Sequence, residues 1–350
     1  MVRGRLHGIA RYALELATRL PALAPDLRFS GLTGPEGLPP GLGALTPRIP
    51  LHACRAGFLS PLEQPALTAS LARLGPDLFH ATSFSVPALW PGRLVATLHD
   101  ANHVALSEQY GPGRLAYYKL IVGPRARTAR ALIPVSEFSR EELARHLGLS
   151  PYRLQVIPNG VDARYQPSSA SELKDFRERR GLPPRFFLAV GNTKPFKNLE
   201  MVADIAPSLT VPVVLLAGKG AARELGFPDG TLELSELPED DMPRLYGAAT
   251  ALLLPSRYEG FGLPALEAMA CGCPVVAARA TSLPEVVGEA ALLLSPDEPQ
   301  AWKEAALKLL RDESLRRELS EKGRERATRF SWDDCARRTL ATYRRALEAR

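Results

Sequence analysis

The sequence has few cysteines and no long apolar segment, and each shortage excludes a class of protein. Only four of its 350 residues are cysteine: Cys54, Cys271, Cys273 and Cys335. They do not form the pattern of a disulfide framework, and Cys271-Gly-Cys273 lacks the spacing and partners of a zinc site. We therefore expect small buried thiols in a reducing cytoplasm. No apolar run approaches the roughly 20 residues of a membrane span, and Met1–His7 lacks the apolar region of a secretion signal.

What the chain does contain is ordinary in amount but uneven in charge. It is 45% hydrophobic and 23% charged, and its length predicts two domains. The net charge is +6, and residues 1–165 hold 18 Lys and Arg against 11 Asp and Glu. A basic N-terminal half suits an anionic partner such as nucleic acid, a lipid head group or a phosphorylated substrate. The alternative is an arginine-rich surface that only faces water.

One basic segment of that half is predicted to be a single helix. It carries the cations Arg114, Lys119, Arg125, Arg127 and Arg130 beside Tyr117 and Tyr118. Such a helix can dock at a membrane surface, guide an anionic acceptor, or simply be solvated. No recognised nucleic-acid module accompanies it, so we expect no nucleic-acid partner.

Apolar runs alternate with helical patterns along the chain. The predicted strands are Arg93–Leu98, Ala131–Val135, Leu154–Ile157, Phe186–Val190, Val213–Ala217, Thr250–Leu254 and Pro274–Ala277. The predicted helices include Ser139–Leu147, Asn198–Ile205, Pro264–Ala270, Gln300–Arg311 and Ser331–Glu348. Strands that are apolar on both faces and joined by helices indicate parallel sheets. The pattern forms two blocks, joined by a turn-rich linker at 162–171, and residues 31–50 are predicted to be an irregular loop.

The loop and helix that follow the predicted strand ending at Leu254 carry most of the chemical information. Gly260 and Gly262 permit close backbone approach, and the free amides of the helix start make an anion site. Glu259 stands before the helix and Glu267 lies within its first turns. Carboxylates suit the vicinal hydroxyls of a ribose or hexose, so this segment predicts binding of a phosphorylated sugar.

Glu259 and Glu267, with seven residues between them, resemble the E-x7-E signature of retaining GT-B glycosyltransferases of family 4, also called glycosyl transferases group 1. Other segments match that family in order and spacing: Gly8-Ile-Ala-Arg-Tyr12, Leu98-His99-Asp100, Pro134–Ser139, Ile157–Asp162, Val190–Asn198, Ser282–Glu285 and Phe330–Trp332. The resemblance extends along most of the chain. It implies an α/β fold with two Rossmann-like parallel-sheet domains facing a cleft, 1–165 on the acceptor side and 166–330 binding the nucleotide sugar. Residues 331–350 would form a helix crossing back to the first domain.

The resemblance also implies roles for residues of the second domain. Glu267 would hold the donor ribose and Glu259 would act as a catalytic residue near the donor sugar. The sugar and phosphate would contact the backbone of Gly260, Phe261, Gly262 and Leu263.

Lys197 follows a predicted strand and resembles the family's phosphate-binding lysine. A fixed cation there can stabilise the charge of a leaving diphosphate without a metal. Gly191, Asn192 and Lys194 of the same loop are further candidates for donor binding. Many relatives carry arginine at the positions of Asn192 or Phe196, so Lys194 or Arg257 is expected to assist the diphosphate.

In the first domain, His99 would be catalytic and contact the donor sugar. Gly8 resembles the glycine of the loop that approaches the donor phosphate. Arg11, Asp100 and Ser136 are expected on the acceptor side. The seven residues before Gly8 form no apolar run, so the first strand of the family fold is expected to be missing, and we interpret this as a truncated start.

The predicted function is transfer of a hexose from a nucleotide-diphosphate sugar, with retention of configuration, to a glycan, lipid-linked or small-molecule acceptor. The resemblance implies that no metal or cofactor is needed and suggests a role in cell-envelope polysaccharide synthesis. The expected location is the cytoplasm, including the inner face of the membrane as a peripheral protein. Two alternatives remain open: a nucleotide-sugar epimerase, and a non-catalytic protein that binds sugar nucleotides.

Overall fold

The chain divides into two compact units in the computed structural model, which describes residues 8–35, 37, 49–57 and 59–348. The first unit comprises Met1–Gly160 and Trp332–Arg350, and the second comprises Val161–Ser331. Among the described helices, none combines the length and apolar character required to cross a membrane.

The described strands of the first unit form two parallel sheets. In the smaller sheet, β1 (Gly31–Thr33) pairs with β2 (Leu51–Ala53). In the larger sheet, β4 (Arg93–Thr97) lies between β3 (Leu78–Ala81) and β5 (Ala131–Ile133). Because β4 is the central strand and is apolar, most of it is buried, and the chain passes from its carboxyl end through Leu98 to His99.

The helices of the first unit include the last helix of the chain. They are α1 (Gly8–Leu23), α2 (Glu63–Leu74), α3 (Asn102–Ala105), α4 (Ser107–Tyr110), α5 (Pro112–Tyr117), α6 (Gly123–Thr128), α7 (Glu137–Leu147) and α16 (Trp332–Glu348). The amphipathic α16 packs against α1, β3 and β4 and buries Trp332 and Tyr343. The C-terminal helix thus completes the core of the N-terminal unit.

The second unit is built on one parallel sheet of six described strands. They are β6 (Phe187–Val190), β7 (Val213–Leu216), β8 (Leu232–Glu233), β9 (Ala251–Leu254), β10 (Val275–Ala278) and β11 (Leu292–Leu294), in the order β11-β10-β9-β6-β7-β8. Strands β7, β9 and β10 are buried along their whole length because helices cover both faces of a parallel sheet. This is the doubly wound arrangement that the apolar runs predict.

Eight described α-helices surround that sheet: α8 (Ala170–Arg180), α9 (Leu199–Ile205), α10 (Ala221–Glu224), α11 (Met242–Ala248), α12 (Leu263–Ala270), α13 (Leu283–Val287), α14 (Pro299–Arg311) and α15 (Glu313–Ala327). Capping residues in the sequence determine where some of these helices begin and end, as in α8. Ser169 and Glu172 form a capping box at the start of α8, and Gly181 ends that helix in the left-handed region.

Six of the seven predicted strands are confirmed, and the prediction of a strand at Leu154–Ile157 is wrong. The segment makes an isolated parallel bridge to Leu132, and its Gln155 and Ile157 amides donate to β5-side carbonyls. The next bridge would need an N–H from Pro134, which proline lacks. The ladder therefore stops after one bridge.

Two other predictions need correction. Residues 31–50 are not wholly irregular, because Gly31–Thr33 forms β1. The basic segment is not one regular helix, because a π-helical turn at Tyr118–Val122 separates α5 from α6. The expected absence of a first strand concerns residues 1–7, which lie outside the described residues.

Candidate active site

The loops that follow β6 and β9 lie side by side in the second unit. The strand order of its sheet reverses between these two neighbouring strands, and such a reversal opens a crevice at the carboxyl ends where ligands bind. The two loops are joined directly, since the Arg257 N–H donates to the Phe196 carbonyl at 2.8 Å. The crevice is thus bordered by the two loops in which Lys197 and Glu259 were predicted to act.

Asn198 ties these loops to a third one. Its backbone lies in the left-handed region, with φ of 55°, which asparagine tolerates better than most residues. Its buried side-chain amide donates to the carbonyls of Pro255, at 3.2 Å, and Pro296, at 2.9 Å. The family pattern of the sequence includes this residue, but sequence reasoning assigned it no role. Its observed role is to hold the loops after β6, β9 and β11 together.

Lys197 and Glu259, the predicted phosphate and sugar contacts, bind each other. The Lys197 Nζ lies 2.7 Å from the Glu259 Oε1, and both side chains are mostly buried. Lys197 also sits over the Phe196 ring, 5.6 Å from its centroid. The Glu259 N–H donates to the Thr281 Oγ1 at 3.0 Å, and the Ser282 Oγ donates to the Glu259 carbonyl at 2.8 Å. The backbone of Glu259 is therefore held in place by two hydroxyl groups. The sequence did not indicate this role for Thr281 or Ser282.

The backbone at the start of α12 requires glycine at position 262. Gly262 has a φ of 101°, and a Cβ at this position would lie 2.7 Å from the Leu283 Cδ2, so only glycine fits without strain. Gly260 is buried, and the Phe261 ring packs edge-on against Phe330 with centroids 5.7 Å apart. The helix begins at Leu263, one residue before the proline that the sequence predicted to open it. The backbone amides at this helix start are the groups of the predicted anion site, and anion binding here stays a prediction.

Glu267 lies in α12 and is nearly buried. Its Oε2 accepts a hydrogen bond of 3.0 Å from the Tyr246 hydroxyl of α11. Burial, together with the charge of Glu267, raises the pKa of Tyr246 well above its ordinary value, so this hydroxyl stays protonated and remains a donor. Tyr246 thereby orients the carboxylate. No sequence motif pointed to it.

The remaining predicted donor residues line the loop after β6. Asn192 and Lys194 are exposed, and the Lys194 N–H donates to the Asn192 Oδ1 at 3.0 Å. Gly191 allows close packing, because a Cβ there would lie 3.2 Å from the Leu199 Cδ1. Arg257, expected as a possible diphosphate partner, forms an ion pair with Asp297.

His99 lies in the first unit, at the end of the chain segment that leaves β4. Its Nε2 is 3.1 Å from the Thr82 carbonyl oxygen, which can only accept, so the Nε2 carries the proton and the Nδ1 of the neutral ring is an acceptor. Burial lowers the pKa of His99 to about 4, partly offset by the bond to Thr82. The Tyr12 ring packs edge-on against the imidazole at 5.0 Å. His99 is therefore a neutral, oriented group at pH 7.

The predicted acceptor-side residues have local contacts in the same unit. Ser136 is fully buried and caps α7: its Oγ accepts from the Ser139 N–H at 3.0 Å. The Ser139 Oγ donates to the His99 carbonyl at 2.7 Å, which connects Ser136 to the histidine segment. The Asp100 Oδ1 accepts from the Asn102 N–H at 3.0 Å and shapes the turn after His99.

The first helix carries the other two predicted residues. Gly8 is its exposed first residue, and Arg11 is buried on it. The neighbouring Tyr12 is also buried, and its hydroxyl lies 2.8 Å from the Thr97 Oγ1. The predictions for Gly8 and Arg11 remain predictions, while Tyr12 adds a contact to His99 that sequence reasoning did not single out.

The sequence also matches known families. Residues 6–165 match the Glycosyltransferase Family 4 model, and residues 171–326 match the model described as Glycosyl transferases group 1. The O-antigen chain mannosyltransferase B of Escherichia coli is 30% identical, in a match that covers 97% of this chain and 96% of that protein. The chain belongs to the family-4 glycosyltransferases. It is also 28% identical to the D-inositol 3-phosphate glycosyltransferase of Acidothermus cellulolyticus, over 99% of this chain and 87% of the relative.

Solved structures place this family-4 glycosyltransferase in the GT-B fold. The sucrose-phosphate synthase of Thermosynechococcus elongatus matches with a TM-score of 0.79 and 22% identity, covering 97% of this chain and 93% of that one. Anabaena HepE in complex with UDP and glucose matches with a TM-score of 0.78 and 21% identity, covering 98% of each chain. The predicted two-domain α/β GT-B fold is therefore confirmed.

A cavity of about 360 Å³ lies at the amino-terminal ends of strands in the glycosyltransferase's second sheet, opposite the ends that carry the candidate site. Its lining includes Arg185, which precedes β6, and Arg316. Arg185 donates to the Leu310 carbonyl at 2.7 Å, and Arg316 donates to the Leu309 carbonyl at 2.5 Å. These cations satisfy the last carbonyls of α14, which explains their position without a ligand.

Metal-binding geometry is not found in the part of the glycosyltransferase that the structure describes. None of its His, Cys, Asp and Glu side chains form a group of three or more that could hold an ion. All four cysteines are buried thiols. Independence from metal stays a prediction.

We expect the imidazole of His99 to titrate near pH 4 in the folded glycosyltransferase. Burial disfavours the charged ring, so its folded-state pKa lies below the ordinary 6.5. Below pH 6.5 the unfolded chain binds a proton that the folded ring does not, so the free energy of unfolding falls as the pH drops from 6.5 through 4. Above pH 6.5 the stability that depends on the neutral ring is fully present. An NMR titration, with the resonance assigned by His99→Gln, measures this value. A midpoint near 6.5 would contradict the neutral state of this half-buried ring.

Proposed function

We propose that this glycosyltransferase moves a hexose, with mannose the first candidate, from a nucleoside-diphosphate sugar to an acceptor with retention of configuration and without a metal. The observation that carries the proposal is the Lys197–Glu259 pair at the strand-order reversal, next to the glycine-built start of α12. A cation, helix amides and carboxylates in one crevice suit a sugar diphosphate. Mannose comes first because several relatives are mannosyltransferases by name.

Each donor group has a counterpart in this crevice. Lys197 and the amides of Gly260, Phe261, Gly262 and Leu263 would stabilise the negative charge that gathers on the leaving diphosphate. Glu267, oriented by Tyr246, would accept hydrogen bonds from the ribose. Glu259 would accept hydrogen bonds from the hydroxyls of the transferred sugar. Gly191, Asn192 and Lys194 would border the phosphates.

For residues of the first unit, we propose roles in sugar and acceptor contact. His99 would contact the transferred sugar as a neutral imidazole through its Nδ1, because the Nε2 is used by Thr82. Gly8 would approach the donor phosphate, while Arg11, Asp100 and Ser136 would serve the acceptor side. In a retaining transfer, the leaving phosphate can take the acceptor proton on the face where the new bond forms, so no protein base is required.

A glycan of the cell envelope is the acceptor class that we propose, either free or lipid-linked. Support comes from the name of the Escherichia coli relative, O-antigen chain mannosyltransferase B, and from the excess of basic residues in the first 165 positions. A cationic unit attracts an acceptor that carries phosphate.

The proposal is tested with purified protein and a panel of nucleotide sugars. A matching donor raises the melting temperature by mass action, and that donor is then incubated with lipid-linked glycan acceptors. NMR of the product is expected to show the same anomeric configuration as the donor. Inversion would refute retention, and a modified sugar nucleotide formed without any acceptor would identify the chain as an epimerase. Donor binding without transfer to any acceptor would favour the non-catalytic alternative.

Peripheral membrane contact through the first unit is a further part of the proposal. Leu62, Leu89 and Leu120 are 69%, 82% and 75% exposed, although leucine is usually buried. We call these three residues the leucine patch. The segments that carry them meet at Gln64, which donates to the Val86 carbonyl at 3.1 Å and the Tyr117 hydroxyl at 2.9 Å.

The neighbourhood of the leucine patch has the charge expected for an anionic membrane. The exposed Lys119 precedes Leu120, and Arg114 lies in the preceding helix. Apolar side chains that enter the head-group region, with cations around them, give reversible binding to anionic bilayers.

We expect Leu89→Asp to weaken binding to phosphatidylglycerol-containing vesicles by about tenfold, because one apolar anchor is lost and a negative charge is added. Vesicle sedimentation measures the effect, with pure phosphatidylcholine vesicles for comparison. Tyr152→Asp is the matched control, since Tyr152 is fully exposed outside the patch. If both variants lose vesicle binding equally, the effect comes only from the added negative charge, and the assignment of the leucine patch as a membrane contact is wrong.

A further inference from the structure

Lys197 and Glu259, which are proposed to bind different parts of the donor, form an ion pair with each other. The Lys197 ammonium is 2.7 Å from the Glu259 carboxylate, with 16% and 11% of these side chains exposed. In the donor complex proposed above, the ammonium would face the diphosphate and the carboxylate would face sugar hydroxyls. Binding must therefore exchange one set of partners for another.

Both ends of this ion pair are anchored independently. The turn that carries Lys197 is held by Asn198, which donates to the Pro255 and Pro296 carbonyls. Glu259 is held through its backbone by the hydroxyls of Thr281 and Ser282. Because both groups sit on chain segments that are held in place, we expect the pair to be the arrangement of the empty site.

A nucleoside diphosphate and a nucleotide sugar differ in the hydrogen-bonding groups that they offer to Lys197 and Glu259. A free diphosphate offers anionic oxygens to Lys197, but it offers no donor to Glu259. Its binding leaves a mostly buried carboxylate without its cation, which is unfavourable. A nucleotide sugar carries hydroxyls that can donate to Glu259, so the carboxylate is satisfied again when Lys197 turns to the phosphate.

We propose that Glu259 is a specificity-determining residue that competes with phosphate for Lys197. It lowers the affinity of the second unit for the nucleoside diphosphate product and is compensated only when a sugar is attached. The proposal rests on the proposed function of this site. It predicts that the charge of Glu259 favours the donor over the spent product and so assists product release.

The test compares two ligands in wild type and Glu259→Gln by calorimetry: the nucleoside diphosphate and the nucleotide sugar of the donor identified by the panel. Removal of the carboxylate charge frees Lys197, so the variant is expected to bind the diphosphate about fivefold more tightly, the factor that corresponds to the loss of one competing ion pair. Binding of the nucleotide sugar is expected to stay equal or to weaken. The ratio of the two dissociation constants thus changes in favour of the product.

Unchanged or weaker diphosphate binding in Glu259→Gln would overturn the proposal. If the glutamine variant does not fold, as judged by its thermal transition, Glu259→Ala is used, and the same tightening is expected. Lys197→Ala separates this inference from the proposed function. If Lys197→Ala weakens diphosphate binding but Glu259→Gln does not tighten it, only the competition is wrong. If Lys197→Ala leaves diphosphate binding unchanged, the assignment of the donor site itself fails.

Discussion

Lys197→Ala is expected to weaken binding of the donor about 10- to 100-fold, because a charge-assisted contact to the diphosphate is lost. The variant also leaves Glu259 mostly buried without its cation, and this carboxylate then repels the incoming phosphates. Calorimetry with the nucleotide sugar and with the nucleoside diphosphate measures the loss. A nucleoside that carries no phosphate is expected to bind both proteins equally well.

Lys194→Ala provides the comparison variant, since it removes the same charge from the same loop at a residue that is proposed to border the phosphates but not to be their main cation. Lys194 is exposed, whereas Lys197 is mostly buried and contacts Glu259. We expect a much smaller loss of donor affinity in this control. Equal losses in the two variants would mean that the loop acts only through its net charge, and the specific role of Lys197 would be wrong.

Glu267→Ala is expected to produce a loss of similar size, about 10- to 100-fold, through the ribose. The affected ligands differ from those of the lysine variant. Because every donor fragment that contains ribose would use Glu267, the nucleoside, the nucleoside diphosphate and the nucleotide sugar should all bind less tightly. Titration of the three ligands therefore distinguishes a ribose contact from a phosphate contact.

Tyr246→Phe is the companion variant for Glu267. It removes the hydroxyl that donates to the Glu267 Oε2 but keeps the ring and the carboxylate. We expect an intermediate loss for all three ligands, since the carboxylate is still present but less well oriented. If Glu267→Ala unfolds the protein while Tyr246→Phe binds the nucleoside like wild type, the carboxylate has a structural role and the ribose assignment is contradicted.

The sequence predicted β6, β7, β9 and β10 of the second sheet, because these strands are apolar on both faces, but not the short, half-buried β8 and β11. It did not predict Gly31–Thr33 as a strand, since glycine and threonine in a Gly- and Pro-rich stretch indicate a loop. It overpredicted Leu154–Ile157, which has the composition of a strand. There the outcome depends on the missing N–H of Pro134, a residue of the neighbouring segment, and only the three-dimensional pairing reveals it.

For the candidate site, the sequence supplied the candidate groups but not their partners. Glu259 and Glu267 follow from the motif. Tyr246, by contrast, reaches Glu267 from another helix, and no local pattern marks it. The same holds for the Lys197–Glu259 contact, which joins loops 62 positions apart. Contacts of this kind depend on how the strands are ordered in the sheet, and that order is set by packing over the whole unit.

The position of α16 has a consequence for the order in which the protein is made. Residues 161–331 form one uninterrupted stretch, so the whole second unit has been translated before the last helix exists. The first unit, although its other residues are synthesised earlier, lacks the side chains of Trp332 and Tyr343 until the ribosome has passed these positions. Its His80 then finally meets the Tyr343 hydroxyl. In a growing polypeptide, the N-terminal unit is thus the last to obtain its complete interior.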